Sequence, residues 1–167
     1  NAVLSDDALD LASLAAVRTP RAAACPALRI ATVLAGDGGG GMEKHATELS
    51  NELAERHHQV TLLGARTLAS RLAPTVEHRV LELAGSRHNP LALIALYRRL
   101  TTQAFDVVHA HGNKAVAMVG ALRRFLPGTC IIGTIHNVKR KASMYDRMDA
   151  CLAVSSAAAA NLRNPHQ

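Results

Sequence analysis

Gly36-Asp37-Gly38-Gly39-Gly40-Gly41 satisfies the spacing G-x-G-x-x-G and lies between a continuous apolar run and the start of an amphipathic stretch. Glycine lets a backbone approach an anion closely, and the unbonded amides of a helix start attract negative charge. The same turn also reads as a device for tight packing, although successive glycines cost much backbone entropy for a plain connection. Glu43 follows in what would be the first helical turn. There it either complements the helix dipole or accepts hydrogen bonds from hydroxyl groups, since an acid beside an anion cradle weakens pure phosphate binding.

Three histidines could share a site with this turn. His109 and His111 flank Ala110 and so share one face of a strand. His109 lies deeper and reads as a hydrogen-bonded core residue. His111 falls at the strand mouth before Gly112-Asn113, a turn expected to keep its side chain accessible. His136, within Gly133-Thr134-Ile135-His136-Asn137, closes another apolar run and is the catalytic candidate, with Asn137 beside it. The sequence has no helical i, i+4 histidine pair and no D-x-D motif, so no metal is expected. His57-His58 read as a surface helix terminus.

The elements that must position these residues alternate regularly from Arg29 onward. Ile30–Ala35 reads as a strand buried on both faces. Met42–Arg56 reads as a helix with Met42, Ala46, Leu49 and Leu53 on its apolar side. Val60–Leu63 and Val76–Leu83 are expected strands. Leu93, Leu96, Tyr97 and Leu100 mark a second helix after Asn89-Pro90, and Asp106–Ala110 a fourth strand. Ala115, Met118, Val119, Leu122 and Phe125 give a helical stripe ended by Pro127-Gly128. Cys130–Ile135 and Ala150–Val154 complete the strands, and Ser155-Ser156 cap a last helix that stops before Pro165. This alternation predicts one doubly wound, mostly parallel α/β domain, Rossmann-like, over residues 28–167. Residues 1–27 read as an appendage holding a short helix. With a strand order of 3-2-1-4-5-6, the glycine turn, His111 and His136 converge at the carboxyl edge where ligands of such sheets bind.

Composition narrows the partners. The chain has 167 residues, 49% of them apolar and 19% charged, enough for one buried core and no more than one domain. Aromatic residues make up 2% and Trp is absent, which argues against base-stacking nucleic-acid binders and lectin-like sugar stacking. Phe105, Phe125 and Tyr97 sit in core or helix-flank patterns, leaving Tyr145 unassigned. The formal charge of +6 suits nucleotides, phosphorylated sugars or an anionic membrane surface. Lys139-Arg140-Lys141 reads as a solvated loop or as a phosphate or membrane contact. Cys25, Cys130 and Cys151 show no paired spacing, and Cys130 and Cys151 are expected to act as small strand hydrophobes. No signal peptide is expected with Asp6, Asp7 and Asp10 near the start, so a cytoplasmic location, peripheral at the inner face of the membrane, is the expectation.

Four segments, in order, carry a resemblance. Gly40-Gly41-Met42-Glu43 resembles the G-G-x-E helix start of family 4 glycosyltransferases. Phe105-Asp106-Val107-Val108-His109-Ala110-His111-Gly112 resembles the family's fourth strand and histidine loop, and Thr134-Ile135-His136-Asn137 its T-x-H segment. Asp149-Ala150-Cys151-Leu152-Ala153-Val154-Ser155 is similar to the strand that precedes the interdomain region. The resemblance implies two Rossmann-like domains facing a cleft, and sugar transfer from a nucleotide-sugar with retention of configuration. It implies no metal and no tightly bound cofactor, the nucleotide-sugar being a substrate. Carried over, Gly39, Gly40, Gly41 and Glu43 would lie near the donor diphosphate and acceptor. His136 would line the reacting centre, with His111 and Asn137 as pocket residues. The acceptor would be a glycan or a lipid-linked sugar of a bacterial cell-envelope pathway.

The chain stops at Gln167, before the donor-binding domain such an enzyme needs, so it is expected to be an acceptor-side half that is inactive alone. Two alternatives stay open. An NADP-binding oxidoreductase domain would use the G-x-G-x-x-G turn, with Arg66 on the 2′-phosphate, because the acid wanted after the second strand is missing from Gly64-Ala65-Arg66. A non-catalytic α/β binding module is the other.

Overall fold

The computed structural model describes residues 26–36, 39–83, 85–137 and 143–163. Strand β1 (Arg29–Leu34) leads through the glycine turn into helix α1 (Gly41–Glu55), then β2 (Gln59–Gly64) and β3 (Glu77–Val80). Helix α2 (Pro90–Thr101), β4 (Val107–His111), α3 (Gly112–Leu122), β5 (Cys130–Ile135), β6 (Ala150–Ala153) and α4 (Ser156–Arg163) follow. The sheet has six strands in the order β3-β2-β1-β4-β5-β6, all parallel. The fold is therefore the expected α/β, Rossmann-like one, and its strand order reverses between β1 and β4. Observed bounds differ by a residue or a few from the sequence reading: β3 is shorter than Val76–Leu83, and β4 runs one residue further, through His111. The proposed helix in residues 1–27, Cys25 and the Lys139-Arg140-Lys141 loop lie outside the described residues.

The sheet buries both faces, as apolar runs in a parallel sheet require. On one face Ala31, Val33, Val108, Ala110, Ile131 and Ile135 pack with Leu96 and Leu100 of α2 and Ala115, Val116, Met118 and Val119 of α3. On the other, Ile30, Leu34, Val60 and Leu62 pack with Ala46 of α1. Phe105 is buried, but Tyr97 and Phe125 are 37% and 47% exposed and meet edge to face on the surface. Cys130 and Cys151 are exposed free thiols, contrary to the expected core role: Cys130 is the first residue of β5, and Cys151 lies on β6, the edge strand of the sheet.

Helix α1 does not bury the stripe that its leucines suggest. Its buried residues are Glu43, Ala46, Thr47 and Ser50, while Met42, Leu49 and Leu53 are half-buried. The polar face is satisfied internally. The Thr47 hydroxyl donates to the Glu43 carbonyl at 2.9 Å, and the Ser50 hydroxyl lies 2.8 Å from the Ala46 carbonyl and 3.0 Å from the hydroxyl of Thr32 on β1. Small hydroxyl side chains let α1 sit close over β1 and aim its first turn at the end of that strand.

Two ion pairs pin the amino edge of the sheet. Arg29 of β1 binds Asp106, which also accepts from the Arg29 amide at 2.8 Å. Arg123, just past α3, binds Asp149, which accepts from the Ile131 amide at 2.7 Å. Each carboxyl is held below the ordinary aspartate range, first by its arginine's hydrogen bond and then by a backbone amide.

Candidate active site

The site forms where β1, β4 and β5 end. Gly40 caps α1 in an extended conformation with no side-chain cap, so the first amides of the helix are not bonded by a capping side chain. The expected ligand edge is thus built from the glycine turn, the start of α1, and the residues at the mouths of β4 and β5.

Glu43 explains part of the glycine run. It is 6% exposed, and its carboxylate lies directly against the turn. A Cβ placed on Gly36 would sit 2.5 Å from Oε1, and one on Gly40 3.2 Å from Oε2. Glycine at these two positions makes room for the carboxylate, which the turn wraps. Gly39 faces elsewhere: its Cβ would lie 3.1 Å from the Nη2 of Arg71. Arg71 and Lys44 flank Gly39, Gly40 and Gly41 around a groove of ≈ 410 Å³ on the outer side of the turn. The turn therefore carries a carboxylate on its inner side, and on its outer side Arg71 together with Lys44, which pairs with Glu48 of the same groove at 3.8 Å.

The histidines cluster on the inner side. The rings of His109 and His111 are 4.1 Å apart, as their shared strand face requires. His111 Nδ1 lies 3.3 Å from His136 Nε2. His45 on α1 completes the group, edge-on to His136 at 5.3 Å and 5.9 Å from His111. His109 is a core histidine as expected, 5% exposed and 2.7 Å from the Thr134 hydroxyl. Burial pushes it down to about 4, with the neighbouring His45 and His136 acting in the same direction.

His111 departs from expectation. It is 1% exposed, not accessible. No loop separates β4 from α3: Gly112, with φ of 76°, turns the chain directly into the helix, and Met42 packs over it. The imidazole is left under the cluster, with its Nε2 buried and without a partner among the described residues. Burial first, and the adjacent His109, His136 and His45 next, push it down to about 2. His136 is half-buried, and its pKa is also lowered, by burial and His45 against an opposing pull from Glu43.

His136 and Asn137 line two adjoining cavities. The inner one, of ≈ 250 Å³, is bounded by Gly36, Met42, His111, Asn113 and Lys114. The outer one, of ≈ 550 Å³, is bounded by Gly40, Gly41, Glu43, His45 and Val154. Gly40, Gly41, Glu43, His111, His136 and Asn137 are thus brought together, and Gly39 opens onto the outer groove with Arg71. Lys139, Arg140 and Lys141 lie outside the described residues. Tyr145 is no stacking platform: it is buried, and its hydroxyl donates to Asn113 Oδ1 at 2.9 Å.

Sequence reading missed His45, Arg71 and Lys114. His45 had a usable signal, standing two residues after Glu43 at the start of a helix aimed at the site. Arg71 ends a 3-10 segment, Arg66–Arg71, and had none. Among the described residues no group of His, Cys, Asp or Glu is arranged to hold a metal ion. Nor is any helix among them long and apolar enough to cross a membrane. The Glu82 carboxylate accepts from the Arg66 amide at 3.2 Å, so a negative charge lies beside Arg66.

No curated protein matches the chain. The description of the domain Glycosyltransferase Family 4 matches it over residues 39–167, from within the glycine turn through β6 and α4. That match takes in well over half of the sequence and every histidine of the cluster, and it shows that the chain belongs to glycosyltransferase family 4.

Proposed function

We propose that the chain is the acceptor-side domain of a retaining glycosyltransferase that takes its sugar from a nucleotide-sugar, with a donor-binding domain supplying the opposite wall of the cleft. The observation that carries this reading is the convergence of Gly40, Gly41, Glu43 and His136 at the strand-order reversal, around cavities open on one side. The buried Glu43 carboxylate suits hydroxyl groups, and the outer groove with Lys44 and Arg71 suits a diphosphate. His136 touches the transferred sugar or steadies charge that develops as the glycosidic bond to the nucleotide breaks. Neither step draws on a metal. The acceptor is a glycan or a lipid-linked sugar, and peripheral membrane contact through Lys139-Arg140-Lys141 is part of the same proposal.

Titration of the isotope-labelled chain with nucleotide-sugars and with sugar acceptors, followed by amide chemical shifts, tests this. Perturbations should gather at Gly39–Gly41, Glu43, His136 and Asn137. Their absence at millimolar ligand, or a scatter of shifts over the sheet's other edge, would defeat the assignment. In a protein that joins this domain to its donor-binding half, Glu43→Ala and His136→Ala should each lower transfer by about 10²-fold or more.

A further inference from the structure

His111 has two nitrogens in sharply unequal surroundings. Its Nδ1 lies 3.3 Å from His136 Nε2, while its Nε2 is buried with no partner among the described residues. A neutral imidazole carries one proton, on one nitrogen or the other. If His111 were protonated on Nε2, a buried N–H would go without an acceptor. If it is protonated on Nδ1, the buried atom is only a bare lone pair, and Nδ1–H donates to His136. Orphaned buried N–H groups are rarer than under-used acceptors, so the second arrangement is favoured. The packing leaves little room for a third: His109 covers His111 at 4.1 Å and spends its own Nε2 on Thr134.

The consequence falls on His136. With its Nε2 accepting from His111, its proton must sit on Nδ1, and the two nitrogens diverge widely across the ring. Nε2 turns to His111, and Nδ1, on the other side of the ring, has no partner among the described residues; His136 itself lines both cavities.

We propose that His111 is a positioning residue that holds His136 in its Nδ1–H tautomer, so that His136 meets its ligand as a neutral hydrogen-bond donor and recognises an acceptor oxygen there. The ligand chemistry rests on the transferase reading, in which that oxygen belongs to the sugar or to the leaving group. The tautomer rests on the His111–His136 geometry alone. In this role His136 does not take a proton from the acceptor. It donates to an oxygen that gains negative charge, which suits a transfer whose leaving group is a phosphate.

Two-bond ¹⁵N–¹H spectra of the ¹⁵N-labelled chain at neutral pH read the tautomer of each histidine without any sugar present. The result is therefore separate from the ligand titrations that test the transferase reading. His136 and His111 should both show protonated Nδ1 and bare Nε2. His111→Phe removes the donor, and His136 should pass from almost wholly Nδ1–H to mainly the Nε2–H form that a free histidine side chain prefers. His111→Asn, whose amide N–H can stand in for Nδ1–H, should restore the native pattern. A merely space-filling His111 would leave the tautomer unmoved in both variants. His136 protonated on Nε2 in the unaltered chain, or unchanged by His111→Phe, overturns the proposal. If His111→Phe fails to fold, His111→Leu, which also lacks a donor, reads the same shift of His136 to the Nε2–H form.

Discussion

The Glu43 carboxylate lies so close under Gly36 that a Cβ on that glycine would stand 2.5 Å from Oε1. The contact is to the end of a flexible side chain, so Gly36→Ala can be accommodated if Glu43 swings away. Glu43 is buried, however, and moving it disturbs the wall of the outer cavity. Gly36→Ala should therefore cost about 1–3 kcal/mol in urea denaturation, within the range for overpacking. It should weaken ligand-induced shifts at Glu43 and His136 about as much as Glu43→Ala does. Retained ligand response in Gly36→Ala would mean that the carboxylate's position is immaterial.

The histidine cluster makes the protein sensitive to acid. His109 is held at about 4 and His111 at about 2, both below the ordinary histidine value of 6.5 and both first by burial. For a histidine depressed in this way the unfolded chain takes up the proton first. Stability is then complete above 6.5 and declines as pH falls below it, by about 1.4 kcal/mol per pH unit for each such group. Urea denaturation between neutrality and pH about 4 should show this loss, and His111→Phe should make the slope shallower. A flat profile over that window would show that the rings protonate freely in the folded state.

Much of this arrangement could be read from the residues, and the misreadings share a cause. The parallel sheet followed from alternation of runs, and the meeting of the glycine turn with His111 and His136 followed from supposing the order 3-2-1-4-5-6, one of the few topologies such a sheet allows. The inward face of α1 did not follow. The expected stripe was Met42, Ala46, Leu49 and Leu53, yet only Ala46 of these is buried, together with Glu43, Thr47 and Ser50; the hydroxyls of Thr47 and Ser50 bond to the helix's own carbonyls and that of Ser50 to Thr32. Hydropathy cannot register a polar group that finds its partner on another element, 18 residues away in the chain. His111 was misplaced for a local reason: Gly112-Asn113 looks like an open turn, but φ of 76° at Gly112 starts a helix at once. Arg71 reaches the glycine turn from the segment after β2, a contact with no counterpart in sequence spacing.

The Ser50–Thr32 contact offers a direct measure of that polar face. Both side chains are buried, at 0% and 2% exposure, and their hydroxyls are 3.0 Å apart. Ser50→Ala should cost about 1–2 kcal/mol, since it strands the Thr32 hydroxyl. Adding Thr32→Val removes the stranded group, and the double variant should be less destabilised than the two single losses added together. Strict additivity in a urea double-mutant cycle would show that the two hydroxyls do not interact.

Asp149 ties three elements, taking the Arg123 guanidinium beyond α3 and the Ile131 amide of β5 immediately before its own chain enters β6. Its carboxyl is lowered from 3.8 to about 2, first by the Arg123 hydrogen bond and then by the Ile131 amide. A depressed carboxyl stabilises the fold above its unfolded value and loses that contribution as pH falls through its folded one. Asp149→Ala should accordingly lower the Tm at neutral pH. The gap between it and the unaltered chain should close between pH 3.8 and about 2, where the native carboxyl is itself protonated. Reading the difference between the two proteins cancels the histidine contribution, which both share. Thermal melts across that window check it, and a gap that stays constant in acid would mean that Asp149 acts through packing and not through its charge. Arg123→Ala should reproduce part of the loss but leave the Ile131 amide bond in place, so its Tm should fall between the other two.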